Sequence, residues 1–294
     1  MAREARIGRP KVACELTSAQ VFAARAAERS DGIEVLQTRP VSAGITPNLT
    51  NGNITDATTV GAALSDALQS TGPRGKDIVL VLPDAAVRVV LLDFDTLPDR
   101  QEEAEGIVRF RLKKALPFDV DKAAISYHAQ PNGTTLKVIV AVIMRSVLEE
   151  YEALVRNAGF LPGVVLPSTL AALGNVTGDQ PSMVVKVADG STTIAILNQG
   201  RLLLYRTLDH GSSNEAAEAL AEDIYPSAVF FQDMYGVPIE RIYVSGVELN
   251  TAMAAKLSQE TSAPVEELIS PAFSDLKPSG MPRSALAGVL GALA

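Results

Sequence analysis

The sequence predicts a two-lobed α/β protein, and three observations carry that prediction. A meander of three short apolar strands followed by helices opens the chain and recurs after about residue 180. A block with its own strand, helix and hairpin interrupts the first copy between about residues 85 and 160. The length of 294 residues allows two domains of ordinary size, each burying its own core. The expected organisation is a first lobe over 1–180, with an inserted subdomain at about 85–160, and a second lobe over 181–294.

Residues 12–16, 21–27 and 33–41 read as the first meander, with polar turns between them. The Asn-, Thr- and Gly-rich stretch 48–59 predicts loop. Val60, Ala63, Leu64, Ala67 and Leu68 then recur at helical spacing over 59–70. Residues 78–82 are a short apolar run, as suits a strand buried inside a sheet. In the inserted block, 87–94 reads as a strand closed by Leu97-Pro98. Asp99 with Glu102 forms a capping box for a helix whose stripe is Ala104, Ile107, Val108, Leu112 and Ala115. Acidic residues fill its first turn and Arg111, Lys113 and Lys114 its last, as the helix dipole favours, and Pro117 ends it. Strands 123–129 and 135–144 are joined through Pro131-Asn132-Gly133, and a helix over 147–158 ends at Gly159.

The second copy repeats the pattern with strands 183–187, 193–197 and 202–207. Ser212 with Glu215 predicts another capping box, opening a helix with Ala217, Leu220, Ala221 and Ile224 on one face. Pro226 is expected to kink or split that helix. A buried strand at 242–244 ends at Ser245-Gly246, a helix follows near 249–259, and small residues over 284–294 predict a closing helix.

Composition narrows the function. Hydrophobic residues make up 47% and charged residues 20%, which is a folded chain. A net charge of −8 argues against nucleic acid as a partner, since phosphate neutralisation needs clustered Lys and Arg. The basic tip Arg3, Arg6, Arg9 and Lys11 reads as a solvated start, with weak contact to anionic lipid as the sharper alternative. Cys14 is the only cysteine, so no internal disulfide forms. His128 and His210 are the only histidines, too few for a histidine-rich metal site and too scattered to offer a Ser-His-Asp candidate. Positive charges at the start have no apolar segment behind them, and runs such as 138–144 are too short to cross a bilayer. The cytoplasm is the expected compartment.

Two lobes that each open with strand–turn–strand resemble the actin, Hsp70 and sugar-kinase layout, in which both turns present backbone N–H groups and hydroxyls to phosphates. A narrower set of motifs resembles the PilM family of type IV pilus assembly proteins. It runs from Val79-Leu80-Val81-Leu82-Pro83 and Leu97-Pro98 through Lys114-Ala115-Leu116-Pro117-Phe118 and Ile125-Ser126-Tyr127. It continues with Asn157-Ala158-Gly159-Phe160, Gly200-Arg201-Leu202, Arg206-Thr207 and Arg241-Ile242-Tyr243-Val244-Ser245-Gly246. The resemblance covers the chain from about Val12 onward and extends, more distantly, to the division protein FtsA. It implies an α/β, two-lobed actin-like ATPase (ribonuclease H-like) fold with an FtsA-like inserted subdomain in the first lobe.

The resemblance also implies nucleotide loops, and here the sequence departs from the family. Where PilM-like proteins have Asp-Ile-Gly-Ser-Ser-Ser, this chain has Glu15-Leu16-Thr17-Ser18-Ala19-Gln20. Thr17 brings a branched Cβ to a glycine position. Lys186 stands where an acidic residue would serve the metal, and a shifted register offers Asp189, Gly190, Ser191 and Thr192. Gly246 is kept in the adenosine segment, with Val247 in place of a second glycine. ATP and Mg²⁺ are the cofactors such loops would hold. With these residues the chain reads as a pseudo-ATPase with no catalytic residues, and Lys186 as a counter-charge in place of a metal. The family role implied is an assembly platform binding the N-terminal tail of a PilN-like inner-membrane protein, alongside other pilus machine components. The groove would involve strand 79–83, helix 99–116 and strand 138–144. Alternatives are an ATP-binding switch of the same family, an L-type scaffold of the general secretion pathway, or a phosphotransferase.

Overall fold

The computed structural model describes residues 10–28, 32–188, 190–210, 217–273, 278 and 280–294. The duplication read from the sequence appears as two five-stranded sheets of identical topology. The first is built from β1 (Val12–Leu16), β2 (Gln20–Ala26), β3 (Ile33–Pro40), β4 (Asp77–Leu82) and β8 (Leu161–Pro167), in the order β3-β2-β1-β4-β8. The second contains β9 (Ser182–Ala188), β10 (Ser191–Asn198), β11 (Arg201–Asp209), β12 (Arg241–Ser245) and β13 (Val265–Glu267), in the order β11-β10-β9-β12-β13. In both, the first three strands form an antiparallel meander and the last two add in parallel. All five residues of β1 are buried, because helices and loops cover both faces of a central strand.

Helix α1 (Ala57–Ser70) covers the first sheet through Val60, Leu64, Ala67 and Leu68, and Asp56 caps it by accepting from Thr59 N. Two strands escaped the sequence pattern. β8 carries Pro162, Gly163 and Pro167, which a sheet tolerates at its edge, and β13 has only three residues. A third sheet, β5-β7-β6, comes from the inserted block: β5 (Arg88–Phe94), β6 (Ala123–Asn132) and β7 (Thr135–Met144), with α2 (Gln101–Leu112) on it. The hairpin turns at Gly133, whose φ is 65°, while Pro131 sits in β6 opposite Leu136.

Several local expectations are corrected. The N-cap of α2 is Arg100 without a side-chain cap, so Asp99 and Glu102 form no capping box. The helix stops at Leu112, before Pro117, leaving Ala115 and Ile107 exposed while Ala104, Val108 and Leu112 face the sheet. Helix α3 (Arg145–Asn157) packs with α1 in the core of the first sheet through Val147, Tyr151, Leu154 and Val155, and also touches the inserted strands at Ile143 and Ala141. Pro226 lies inside one continuous helix, α5 (Ala217–Tyr235), and does not split it. The capping box Ser212–Glu215 and the basic residues Arg3, Arg6 and Arg9 lie outside the described residues. Helix α6 (Thr251–Thr261) is capped by Asn250, which accepts from Met253 N. The closing helix begins as a tight turn, Arg283–Leu286, before α7 (Ala287–Gly291). Among the described residues no helix is long and apolar enough to cross a membrane.

Candidate functional site

Glu15 of β1 and Lys186 of β9 meet where the lobes join, and the helices packed around them decide what the adjoining turns can do. Helix α4 (Ser168–Ala172) leaves β8 and packs tightly against α7. The contact is made by glycines: a Cβ at Gly174 would strike the backbone of Gly291, and one at Gly291 would strike the carbonyl of Ala171. Asn175 ties the pair by donating to Ala172 O at 3.0 Å and Ala287 O at 2.7 Å. Ser245 Oγ donates to Ser284 O at 2.6 Å.

This packing seals Glu15. Its side chain is fully buried at the end of β1, accepting from Ser168 Oγ on one oxygen and from Val289 N at 2.7 Å on the other. A side chain at Gly288 would collide with the same carboxylate. Lys186 reaches it from the other lobe, with Nζ 3.6 Å from Glu15 Oε1 and only 3% of its side chain exposed. Burial drives the Glu15 carboxyl above its ordinary range. Lys186, Ser168 and the Val289 amide each pull it back, and the charge of Asp84 adds to the rise.

The first turn is closed by its own threonine. Thr17 Oγ1 accepts from Gln20 N at 2.9 Å and Ala19 N at 3.3 Å, and Thr17 N donates to Gln20 O at 3.0 Å. Those amides would greet a phosphate if the residue were glycine. Ser18 is half-buried beside them. In the second turn Gly190 takes a φ of 74° and its carbonyl accepts from His210 N at 2.9 Å. Ser191 Oγ donates to Ala188 O at 2.9 Å, and buried Thr192 meets His210 Nε2 at 3.2 Å. Asp223 approaches that same ring nitrogen at 3.0 Å, so the three residues cannot relay a proton as a triad does. Asp189 lies outside the described residues. Gly246, with a φ of 89°, is required by the backbone of β9: a Cβ there would overlap the carbonyl oxygen of Val187. At the positions singled out from the sequence, the side chains serve one another.

A second link between the lobes was missed. Asp84, buried just after β4, accepts from Thr169 N at 2.9 Å, Thr169 Oγ1 at 2.6 Å and, from the second lobe, Tyr205 Oη at 3.0 Å. Burial and the Asp84 charge push the Tyr205 hydroxyl well above its ordinary value. The available signal was Pro83-Asp84, an acid just past the apolar run 78–82. The inserted hairpin also grips the second lobe. Gln130 donates to Leu202 O at 2.5 Å and accepts from Leu202 N at 3.2 Å, acting as one more strand residue on the β11 edge.

These residues do not fit a metal-bound triphosphate. Both oxygens of Glu15 are engaged, Lys186 repels a cation, and the first turn's amides are spent. Among the described residues no group of three His, Cys, Asp or Glu side chains could hold a metal ion. A different cavity lies between the first lobe and the inserted sheet. It measures about 140 Å³ and is lined by Leu82, Ile125, Ser126, Ala141, Ile143 and Val165 among others. Of the strands 79–83 and 138–144, Leu82, Ala141 and Ile143 line this cavity. No residue of 99–116 lines it, because α2 lies on the other side of its sheet; β6, β8, Val87 and Leu148 of α3 supply the remaining wall. Val79 to Val81 are closed core.

Paired five-stranded sheets of this topology define the class: the two-lobed actin-like ATPase fold. The structure is similar to that of a PilM–PilN type IV pilus biogenesis complex, with a TM-score of 0.75 and 16% identity over 97% of each chain. The cytoplasmic domain of EpsL, an inner-membrane component of the type II secretion system of Vibrio cholerae, has a TM-score of 0.52 and 12% identity, over 85% of this chain and 93% of that one. A Bacteroides thetaiotaomicron protein with an actin-like ATPase fold has a TM-score of 0.53 and 11% identity, over 88% and 90%. No protein-family model matches the sequence, and no curated protein matches it.

Proposed function

We propose that this chain is a non-catalytic assembly platform of a type IV pilus machine, working as a PilM-like protein at the cytoplasmic face of the inner membrane. The observation that carries the non-catalytic half is the buried Glu15–Lys186 pair. Phosphoryl transfer depends on charge stabilisation at fixed positions, with a carboxylate free to orient the metal or water. Admitting Mg²⁺ would mean breaking the contacts of Glu15 with Lys186, Ser168 and Val289 together, and removing one partner of a buried ion pair costs about 3–5 kcal/mol by itself. The lysine supplies the positive charge that a metal would bring, so the lobes are held together without nucleotide.

The docking half rests on the apolar cavity beside Ser126 and on the likeness to a PilM bound to PilN. An extended tail from a PilN-like inner-membrane protein would run along β6, an edge strand, with alternate side chains entering the cavity. β8 is the poorer template because Pro162 and Pro167 lack N–H donors.

Two measurements test this reading. Titrating the chain with the N-terminal tail peptide of the PilN-like protein should give saturable binding, weakened at least about tenfold, or 1.4 kcal/mol, by Ser126→Trp. Unchanged binding in that variant would displace the cavity from the model of function. Thermal unfolding with millimolar Mg·ATP should show no rise in the midpoint. A ligand at about 100 times its Kd adds about 2.7 kcal/mol, so a clear rise would make the chain a nucleotide switch instead.

A further inference from the structure

We infer that the end of the first sheet where β1, β4 and β8 begin docks on an anionic lipid surface, with the basic residues that precede Pro10 as its tether. The inference needs neither a nucleotide nor a pilus partner. The three strands run parallel, so their first residues share one end of the sheet. Ala26 N donates to Lys11 O at 2.9 Å and Leu161 N to Lys76 O at 2.8 Å, which brings the end of β2 and the loop before β4 to the same place. Glu15 sits near the opposite end of β1, about 13 Å from Lys11 at about 3.3 Å per residue, so the lobe junction faces away from this surface.

Charge says what covers this end. Lys11 and Lys76 are exposed there with no ion-pair partner among the described residues. Arg25 and Arg74 stand beside them, paired with Glu34 and Glu28. Arg3, Arg6 and Arg9 precede Pro10 in the sequence, and seven residues reach no further than about 25 Å. Against these seven cations stand Glu4, Glu28, Glu34 and Asp77, while Arg29 and Asp31, between β2 and β3, offset each other. The end therefore carries an excess of three positive charges on a chain of net charge −8, which leaves −11 on the rest of the molecule. Such an asymmetry turns the basic end toward a negative surface and holds the other faces off it.

An apolar side chain among the cations selects lipid over nucleic acid. Leu161 is 50% exposed beside Asp77 and Lys76, and of the seven large apolar residues exposed among the described residues it alone lies on a strand. Pro10 leans toward the same strand, since a Cβ at Gly163 would stand 3.7 Å from Pro10 Cγ, so the basic segment leaves the fold close to Leu161. A recess of about 330 Å³, lined by Lys11, Arg25 and Arg74 together with Glu28 and Asp77, opens at this end and has room for a headgroup. Cationic heads at headgroup level with an apolar side chain beneath them are the arrangement of a peripheral lipid contact. Each Lys or Arg near an anionic bilayer changes affinity about fivefold, so an excess of three is worth about a hundredfold, a weak and salt-sensitive hold.

Co-sedimentation of the full chain with vesicles of about one-third phosphatidylglycerol in phosphatidylcholine, and with vesicles of phosphatidylcholine alone, tests this. Binding to the anionic vesicles only is expected, and its loss at about 0.5 M salt, where the Debye length falls to about 4 Å. Arg3→Glu, Arg6→Glu and Arg9→Glu together should weaken binding at least about a hundredfold. Lys76→Glu combined with Leu161→Ser, both at exposed positions, should weaken it at least about tenfold, and an unchanged thermal midpoint should confirm that each variant folds. No binding to the anionic vesicles, equal binding to the neutral ones, or a Lys76→Glu, Leu161→Ser variant that binds as the wild type does would each overturn the proposal. Tighter capture of a DNA duplex than of the vesicles would overturn it too, and make this end a nucleic-acid surface.

Discussion

Replacing Lys186 with methionine removes the cation facing Glu15 while keeping an unbranched side chain. Glu15 is fully buried, so the change leaves a carboxylate with hydrogen bonds from Ser168 and Val289 but without its facing charge. Breaking a buried pair from one side costs about 3–5 kcal/mol. At about 2.1 cal/mol/K per residue, a chain of 294 residues unfolds with an entropy of about 0.6 kcal/mol/K, so the midpoint should fall by about 5–8 °C if the lobes melt together. The pH dependence follows from the raised Glu15 carboxyl. A group whose folded value is raised contributes stability that is present below its unfolded value and lost as pH climbs through the folded one. Removing Lys186 removes the strongest influence pulling that value down, so it moves further up, and the variant loses more at neutral pH than in acid. The gap between wild type and Lys186→Met should therefore narrow as pH falls from about 7.5 to about 5. Glu15→Gln in the same molecule should recover most of the loss, since two neutral groups need no counter-charge. Denaturant and thermal unfolding at both pH values, completed as a double-mutant cycle, provide the assay. A loss below about 1 kcal/mol, a gap indifferent to pH, or strict additivity in the cycle would refute the argument that this pair joins the lobes.

Other positions give independent checks. Tyr205→Phe deletes the hydroxyl that donates to Asp84 across the lobes, while Thr169 remains; a loss of about 1.5–3 kcal/mol in denaturant unfolding is expected, as for hydrogen bonds to a charged group. Gly246→Ala forces a Cβ onto the Val187 carbonyl at a positive φ and should cost more than about 4 kcal/mol, visible as loss of soluble protein or a collapsed midpoint. Gln130→Ala frees the inserted hairpin from β11, so hydrogen exchange at the Leu202 amide should accelerate while that in β9 and β10 is unchanged. Burial and the neighbouring Glu15 push the Cys14 thiol up, so it should resist thiol reagents at neutral pH until the protein is unfolded.

Much of the architecture was legible because it is written in local periodicity. Two meanders of short apolar runs, a buried strand after each and a stripe at 60, 64, 67 and 68 marked the duplicated lobes without any long-range information. Failures came where propensity was overruled or silent. β8 hides behind two prolines and a glycine that an edge strand accepts, and α3 carries nothing local to say which sheet it covers. Pro226 stays in its helix because the buried residues on both sides of it, Ile224, Ser227 and Ala228, remain anchored on the second sheet.

At the lobe junction the division is sharper. The sequence by itself determined the two-lobed plan, the positions of the two turns, and the unlike residues in them: a glutamate, a threonine for a glycine, a lysine for an acid. Only the tertiary structure decided that Glu15 and Lys186, 171 positions apart, meet in a sealed space, and that Val289 and Ser168 complete the carboxylate's partners. The physical reason is that a charge's meaning depends on what shields it. A lysine on a strand reads the same whether solvated or buried, and its surroundings are set by the packing of α4 against α7, which no periodicity encodes.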